Sequence, residues 1–314
     1  MEPEPLLEEA PLSVEAELDI MTIGVRALRG RARRALGAAA DIRHNVGAMV
    51  GVVLLAFVVL LAIVGPGITG HSSTFQDLNN SLAPPSAHHL LGTDELGRDI
   101  AARVVAGARI SLVVAVIVLG LASVVGGLLG LLAGYYGGIV DGVIMRVADL
   151  FFAFPQFLLA MAIVAALGHS LNHAILSVAI AYWPRYARLM RAGILSAKTT
   201  VYVRAAEALG CTSPRIMLRH LVPNCVSPLL IQATMDAGIA ILTTASLSFV
   251  GLGATPPTPE WGAMITEGRD YITTAWWIPF FPGLMISIAV AGFMFLGDGL
   301  RDSFDPRVRN RIGF

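Results

Sequence analysis

The sequence predicts an all-α membrane protein with six transmembrane helices and both termini in the cytoplasm. Three observations carry this prediction. Hydrophobic residues make up 55 % of the 314 residues and charged residues only 14 %, whereas soluble domains carry about 25 % charged residues. The apolar residues form long continuous segments without the two-residue alternation of membrane β-strands. The basic residues are distributed very unevenly between the predicted loops.

Six segments of the chain approach or exceed the roughly 20 apolar residues that a membrane-spanning helix needs. They are Val46–Ile68, Ile110–Ala133, Val147–Leu167, Ala174–Met190, Ser227–Val250 and Trp277–Leu296. The fourth is the least regular because Trp183-Pro184-Arg185 is expected to interrupt it. Together these segments define a predicted transmembrane domain over residues 45–300.

The basic residues orient the six spans. With the N-terminus inside, the inner segments hold 18 of the 22 Lys and Arg residues and the outer segments hold 4. This bias is the positive-inside pattern of membrane proteins. We therefore expect residues 1–44 and 301–314 to be cytoplasmic tails, and residues 69–109 to form an outer segment.

The predicted N-terminal tail is unlike a signal peptide. Residues 1–20 hold seven acidic side chains and no basic one, the reverse of the charged start of such a peptide. Five arginines follow in residues 26–34. Such a run could bind RNA, but ahead of an apolar span it is typical of a topology anchor at membrane lipid. The zero net charge of the chain also argues against a nucleic-acid partner.

A polar, basic stretch over residues 185–224 separates the fourth and fifth predicted spans. Its pattern predicts a helix from Thr200 to Leu209, with Gly210 suited to the left-handed turn that ends many helices. Ser213 can cap a second helix, with Pro214 at its first position. We call this predicted helix–turn–helix the elbow.

The elbow has features that favour docking against another protein. Pro223 is expected to end the second helix where the chain re-enters the membrane, so that the turn points away from the bilayer. Three small residues, Ala205, Ala206 and Ala208, would allow a close approach. The alternative is a solvated loop with no partner.

The stretch GILSAKTT, residues 193–200, resembles a phosphate-binding loop but does not match it. Ala197 occupies the position before Lys198 where the motif requires glycine, and no strand precedes the segment. We therefore expect this chain neither to bind nor to hydrolyse nucleotide.

The elbow resembles the EAA signature of ABC-importer permeases. The matching positions are Arg204, Ala205, Ala206, Gly210, His220, Val222 and Pro223. Arg204 replaces the glutamate of the signature, and an acid occurs instead at Glu207. Three further stretches, at residues 90–112, 134–155 and 248–272, resemble the peptide-permease C subunit, as does GDGLRDSFDPR at 297–307.

This resemblance implies a type I ABC importer permease (MetI-like) fold in a bacterial cell membrane. It also implies a non-catalytic subunit that imports di- or oligopeptides by alternating access, or a nickel chelate, haem or glutathione. The implied partners are a homologous second permease, one or two ATPase subunits or a fused ATPase, and an extracytoplasmic solute-binding protein. ATP and Mg would be bound by the ATPases and no cofactor by this chain. The residues implied to couple to the ATPases are Val203, Arg204, Ala205, Ala206, Glu207, Ala208, Leu209, Gly210 and Pro214.

Asp236 lies near the centre of the fifth predicted span. An ionised acid there costs about 3 kcal/mol or more in lipid, so it is expected to face a water-filled cavity or a partner span, or to be protonated. One hypothesis places Asp236 on the translocation path with Gln232 and Thr243, where it meets a peptide ammonium group. The alternative is a hydrogen bond in helix packing between the two permeases.

The outer segment and the 251–276 loop allow two interpretations each. GTDELGRD, residues 92–99, is either a packed structural element, which we favour, or a docking ledge for the binding protein. ATPPTPEWGAM, residues 254–264, is either a stiff ledge or a connector, with Trp261 suited to the membrane interface. Gly126-x-x-x-Gly130 is expected to allow close helix packing.

Histidines offer the remaining candidate chemistry. His169 and His173 are four residues apart, and His88 and His89 are adjacent, but neither pair has the further ligands of a metal motif, so no metal site is predicted. A remote alternative is an intramembrane enzyme that uses His169, His173 or Asp236. An outer turn and a mid-span position do not offer catalytic groups at one depth.

Overall fold

The computed structural model describes residues 45–304. Over this range the chain is helical, and its pairing of extended backbone is limited to an isolated antiparallel bridge between Thr93 and Asp99. The predicted cytoplasmic tail of residues 1–44, and residues 305–314 of the C-terminal tail, lie outside the described residues.

The helices are numbered in chain order. They are α1 (Val46–Ile68), α2 (Ile100–Tyr136), α3 (Gly138–Phe152), α4 (Gln156–Leu167), α5 (Leu171–Lys198), α6 (Val201–Ala208), α7 (Ser213–Phe249), α8 (Trp261–Gly268) and α9 (Trp277–Phe304). Short 3-10 turns occur at Leu78–Asn80 and Arg269–Tyr271, and a π-helical turn over Ile216–Leu221 interrupts the α-helical geometry of α7.

Four of these helices, α1, α2, α7 and α9, are long and apolar enough to cross a membrane, and α5, which contains the predicted fourth span, is not among them. The predicted third span, Val147–Leu167, is instead divided between α3 and α4, whose axes meet at 93°. The break falls at Pro155, because the residue before a proline is disfavoured in the helical region. If the bent pair counts as one span, the described residues contain five such spans.

Helix α5 shows that the predicted interruption of the fourth span was wrong. The helix runs unbroken through Pro184 to Lys198, so the predicted start of the polar, basic stretch at residue 185 lies inside it. Trp183 and Ala187, on either side of the proline, are buried in a small cluster with Ala148 of α3. This packing stabilises the helix across a residue that removes one of its hydrogen bonds.

Helices α2 and α5 pack closely along a glycine stripe of α2. A Cβ atom on Gly126 would lie 2.3 Å from the carbonyl oxygen of Trp183, and one on Gly130 would lie 2.2 Å from that of Ala187. The prediction of close helix packing at these glycines is confirmed. The contact lies within this chain, where α2 and α5 form a central pair and α9 packs against α1 and α7.

Candidate functional site

The elbow forms at the junction of α6 and α7, and Gly210 makes its turn. The backbone N–H of Gly210 donates to Glu207 O at 3.0 Å, and that of Cys211 donates to Ala206 O at 3.0 Å. These two bonds are those of a Schellman motif, whose left-handed position falls on Gly210 at φ +71°. The left-handed C-terminal turn predicted for Gly210 is therefore confirmed.

The second helix of the elbow differs from its prediction at both ends. Thr212 is its N-cap, without a side-chain hydrogen bond, while Ser213 and Pro214 are its first two residues. Ser213 therefore does not cap the helix as expected. Pro223 does not end it either, because the π-helical turn immediately before the proline shifts the hydrogen-bond register and the chain continues as α7 to Phe249.

One face of the elbow is buried against its own second helix and the other is open. Val203 and Ala206 are buried, and they belong to the same core as Ile216, Met217 and Leu221. The remaining candidate coupling residues are exposed: Arg204, Ala205, Glu207, Ala208, Leu209, Gly210 and Pro214. Leu209 at the tip is 83 % exposed, so the elbow presents an apolar side chain to its surroundings.

The length of α7 indicates where the elbow lies. Its 37 residues span about 55 Å at 1.5 Å per residue, whereas the hydrocarbon core of a bilayer is about 30 Å thick. The polar start of the helix, with Arg215 and Arg219, therefore extends beyond the hydrocarbon core of the membrane. The opposite end of α7 packs beside α8, where a Cβ on Gly262 would meet the carbonyl oxygen of Ala245 at 2.2 Å.

Three arginines spaced three residues apart on α5 are each paired with an aspartate from another helix. The pairs are Arg185 with Asp236 of α7, Arg188 with Asp149 of α3 and Arg191 with Asp141 of α3. In the last pair both oxygens of the carboxylate accept, at 2.5 and 2.6 Å. These pairs explain how a helix with three arginines packs among apolar neighbours.

The Arg185–Asp236 pair is the centre of a larger polar network between α5 and α7. Arg185 Nη1 donates to Asp236 Oδ1 at 2.7 Å, and Gln232 Nε2 donates to the same oxygen at 3.0 Å. Tyr186 Oη donates to Asp236 Oδ2 at 3.0 Å. The Asp236 side chain is only 1 % exposed, while that of Arg185 is 37 % exposed. The open group of this network is therefore the guanidinium and not the carboxylate.

Thr243 lies further along α7 and joins the same pair of helices. Its hydroxyl donates to Ile239 O at 2.7 Å, which leaves its oxygen to accept from Tyr182 Oη at 3.3 Å. The structure thus brings the three predicted path residues, Gln232, Asp236 and Thr243, to the α5-facing side of α7. Arg185, Tyr182 and Tyr186 could not be assigned to this group from the sequence, because each lies 50 to 61 positions from its partner on α7.

At the opposite end of the bundle from the elbow, four charged side chains form a compact cluster in which three are buried and Glu267 is partly exposed. Arg98 Nε and Arg103 Nη1 each lie 2.6 Å from Asp94 Oδ2, and the Nη2 atoms of both arginines lie 2.8 Å from Glu267 Oε2. The favoured prediction, that residues 92–99 are packed, is confirmed, since Thr93, Asp94, Arg98 and Asp99 are all buried.

Two tryptophans, one in the 251–276 loop and one at the start of α9, donate to backbone carbonyls near this cluster, and an acid caps the loop helix α8. Trp261 is fully buried and donates from Nε1 to Val104 O at 2.9 Å, so the prediction of a membrane-interface position was wrong. Trp277 likewise donates to Thr93 O at 3.1 Å. Glu260 caps α8 by accepting from Gly262 and Ala263. Burial raises the pKa of the Glu260 carboxyl, and these backbone bonds act in the opposite direction.

The histidines fall into two separate regions. His173 Nδ1 lies 3.0 Å from Gly168 O, close to the start of α5, and neither His169 nor His173 is brought to Asp236. His89, in contrast, lies against Asp99 and near His71. The sequence presents only the adjacent pair His88-His89, because His71 and Asp99 approach His89 through the fold of the outer segment.

Comparison with known proteins identifies two family regions. Residues 126–310 match the binding-protein-dependent transport system inner membrane component, and residues 38–85 match the N-terminal TM domain of oligopeptide transport permease C. The first match alone covers more than half of the chain, and it includes the elbow and the whole α5–α7 network.

Similar permease proteins from other bacteria cover most of the chain. The dipeptide transport system permease protein DppC of Alkalihalophilus pseudofirmus is 43 % identical over 86 % of this chain and 89 % of its own length. The di/tripeptide transport system permease protein DppC of Pseudomonas aeruginosa is 42 % identical over 85 % and 90 %. The glutathione transport system permease protein GsiD of Pectobacterium atrosepticum is 45 % identical over 72 % and 75 %.

The fold agrees with these matches. A structure of the MetNI methionine ABC transporter in an inward-facing conformation superposes with a TM-score of 0.51. It is 20 % identical and covers 64 % of this chain and 96 % of that chain. The chain is therefore a member of the binding-protein-dependent transport inner membrane components, in the oligopeptide permease C branch of ABC-importer permeases.

Proposed function

We propose that this chain is the membrane subunit of an ATP-driven peptide importer and forms half of the translocation pathway. The relatives named for dipeptide and di/tripeptide transport support the substrate class. The observation that carries the proposal is the elbow, a rigid helix–turn–helix whose apolar tip at Leu209 lacks a partner within residues 45–304.

The elbow is the surface that couples this chain to the ATPases. Val203 and Ala206 fix α6 to the first turns of α7, so movement of the tip is transmitted directly to a helix that crosses the membrane. The exposed coupling residues named above, with Leu209 foremost, seat in a pocket of an ATPase that binds ATP and Mg. The elbow and both termini lie on the cytoplasmic face, as the basic residues indicate.

Transport proceeds by alternating access. Closure of the two ATPases on ATP carries their bound elbows together, and the attached spans rotate to open the cavity outward. The solute-binding protein releases peptide into this cavity, and hydrolysis returns the spans inward. A homologous second permease supplies the other half of the cavity. The cluster of Asp94, Arg98, Arg103 and Glu267 keeps the outer segment rigid during this movement.

The network around Asp236 borders the path. Its carboxylate is enclosed by Arg185, Tyr186 and Gln232, so Asp236 acts by positioning the partly exposed side chain of Arg185. A guanidinium pairs well with a carboxylate, and every free peptide carries one at its C-terminus. Arg185 is therefore the side chain that pairs with the C-terminal carboxylate of the peptide substrate.

Uptake by a deletion strain that expresses this chain with its partner subunits tests the proposal. Labelled di-, tri- and longer peptides are expected to accumulate in an ATP-dependent manner, and glutathione serves as the second candidate because a relative carries that name. Nickel chelates and haem complete the panel. Uptake of none of these, or uptake that persists without the ATPases, would contradict the proposal.

A further inference from the structure

Three potential metal ligands meet on the outer segment, outside the elbow and the α5–α7 network. A ring nitrogen of His71, a ring nitrogen of His89 and a carboxylate oxygen of Asp99 all lie within 4.8 Å of one another. The two imidazole rings are 5.2 Å apart between centroids and are tilted by 33°. We propose that His71, His89 and Asp99 bind one divalent transition-metal ion of the zinc class.

Asp99 is held in place by the start of α2. Its Oδ1 accepts from the backbone N–H of Ala102 at 2.8 Å, which makes Asp99 the N-cap of the helix. Its Oδ2 faces His89 Nδ1 at 2.9 Å. The carboxylate is buried and its backbone bridges to Thr93, so one ligand is fixed by the rigid part of the fold.

The two histidines are oriented by backbone groups. His71 Nε2 lies 3.2 Å from His88 O, an atom that can only accept, so this nitrogen carries the proton. A metal-ligating histidine commonly donates its other ring N–H to a carbonyl in this way. The backbone of His89 is fixed to Ser86, whose N–H donates to His89 O at 2.8 Å.

The distances suit one ion after a small movement of His71. Bonds of about 2.0–2.2 Å place two ligand atoms of a zinc ion about 3–3.5 Å apart, and His89 Nδ1 and Asp99 Oδ2, at 2.9 Å, are close to this spacing. His71 is exposed and lines an open cleft of about 510 Å³ together with His89 and Asp99, so its side chain has room to close the remaining distance.

The ligand set selects the ion. Two imidazoles and one carboxylate, with a fourth position left to water, suit zinc and its neighbours among the transition metals. Calcium and magnesium prefer oxygen ligands alone. A bound ion links His71, which follows α1, to Asp99, the residue before α2. It therefore crosslinks the outer segment across 28 positions of sequence.

Zinc binding to the full-length chain in complex with its partner subunits tests this inference. The complex is purified without a polyhistidine tag, stripped with a chelator and titrated with zinc chloride against a competing indicator. We expect one high-affinity zinc ion per chain, weakened by at least about 10–100-fold in H71A, H89A and D99N. H88A is the matched control, because His88 contributes only its backbone carbonyl.

Hydrogen exchange provides a second readout that does not depend on transport. Zinc should slow amide exchange over residues 71–99 in the wild type and in H88A but not in H71A. Because His71 is exposed, H71A is expected to fold normally. The inference is overturned if the wild type binds no zinc, or if either histidine variant keeps wild-type affinity.

Discussion

Arg185 Nη1 lies 2.7 Å from Asp236 Oδ1, and this bond joins α5 to the membrane-spanning helix α7. Asp236 is enclosed by three donors, whereas a third of the Arg185 side chain remains open. These donors therefore offset the free-energy cost of burying a charged carboxylate inside the bundle, while part of the positively charged Arg185 side chain stays accessible. The elbow lies at the start of the same helix α7.

Removing the charge of Asp236 should destabilise the chain and reduce transport. In D236N the guanidinium of Arg185 loses its counter-charge. Breaking a buried pair costs about 3–5 kcal/mol, and the exposure of Arg185 reduces the expected loss to about 2 kcal/mol. Thermal unfolding in detergent measures this change, and uptake of peptides of different charge measures the effect on transport.

The double variant R185Q/D236N separates the interaction between Arg185 and Asp236 from the contacts that each side chain makes with other residues. It should recover part of the stability lost in either single variant, because neither charge is then left alone. Wild-type uptake by D236N across all substrates would remove this network from the translocation path. Additive losses in the double variant would show that the two side chains do not act as a pair.

The contact between α2 and α5 predicts that alanine substitutions at two glycines of α2 have very different effects on the stability of the chain. A Cβ added at Gly126 would lie 2.3 Å from the carbonyl oxygen of Trp183, whereas a Cβ added at Gly120 would contact no neighbouring side chain or backbone of residues 45–304 within 4 Å. G126A should therefore lose about 1–3 kcal/mol through overpacking, and G120A should be neutral or more stable. Thermal unfolding of the two purified variants checks this difference, and equal stability would contradict the observed packing.

The elbow was predictable from the sequence because its signals are local. Small residues, a glycine at the helix end and a proline after it act within a few positions, and the Schellman turn at Gly210 follows from them. Pro184 and Pro223 misled the prediction because packing and a π-helical register override the local effect of a proline.

The polar sites could not be predicted because their members are distant in sequence. Asp236 and Arg185 are 51 positions apart, and nothing in the periodicity of either helix selects the other. Arg185, Arg188 and Arg191 were counted as loop charges, yet each is paired with an aspartate of another helix. His71, His89 and Asp99 likewise meet only because the outer segment folds onto α2.

Replacement of Gly210 tests whether the shape of the elbow matters for transport. Gly210 has φ +71° and open space around it, so G210V introduces backbone strain of about 1–3 kcal/mol without a clash. We expect slower uptake and weaker stimulation of the ATPases by substrate-loaded binding protein. Uptake and ATP hydrolysis in reconstituted vesicles measure both effects.

Gly251 supplies the matched control for this substitution. It follows the opposite end of α7 with φ +84°, and its surroundings are equally open. G251V should carry similar strain but leave the association with the ATPases intact. Normal transport by G210V, or an equal coupling defect in G251V, would count against the role of the elbow.

The most direct test is photo-crosslinking from the tip of the elbow in the assembled transporter. A photoreactive amino acid replaces Leu209, which is 83 % exposed, or in the control Leu90, which is 67 % exposed on the outer segment. The account predicts that position 209 crosslinks to an ATPase subunit and position 90 does not. Crosslinks from position 209 only to lipid or to the solute-binding protein would contradict it.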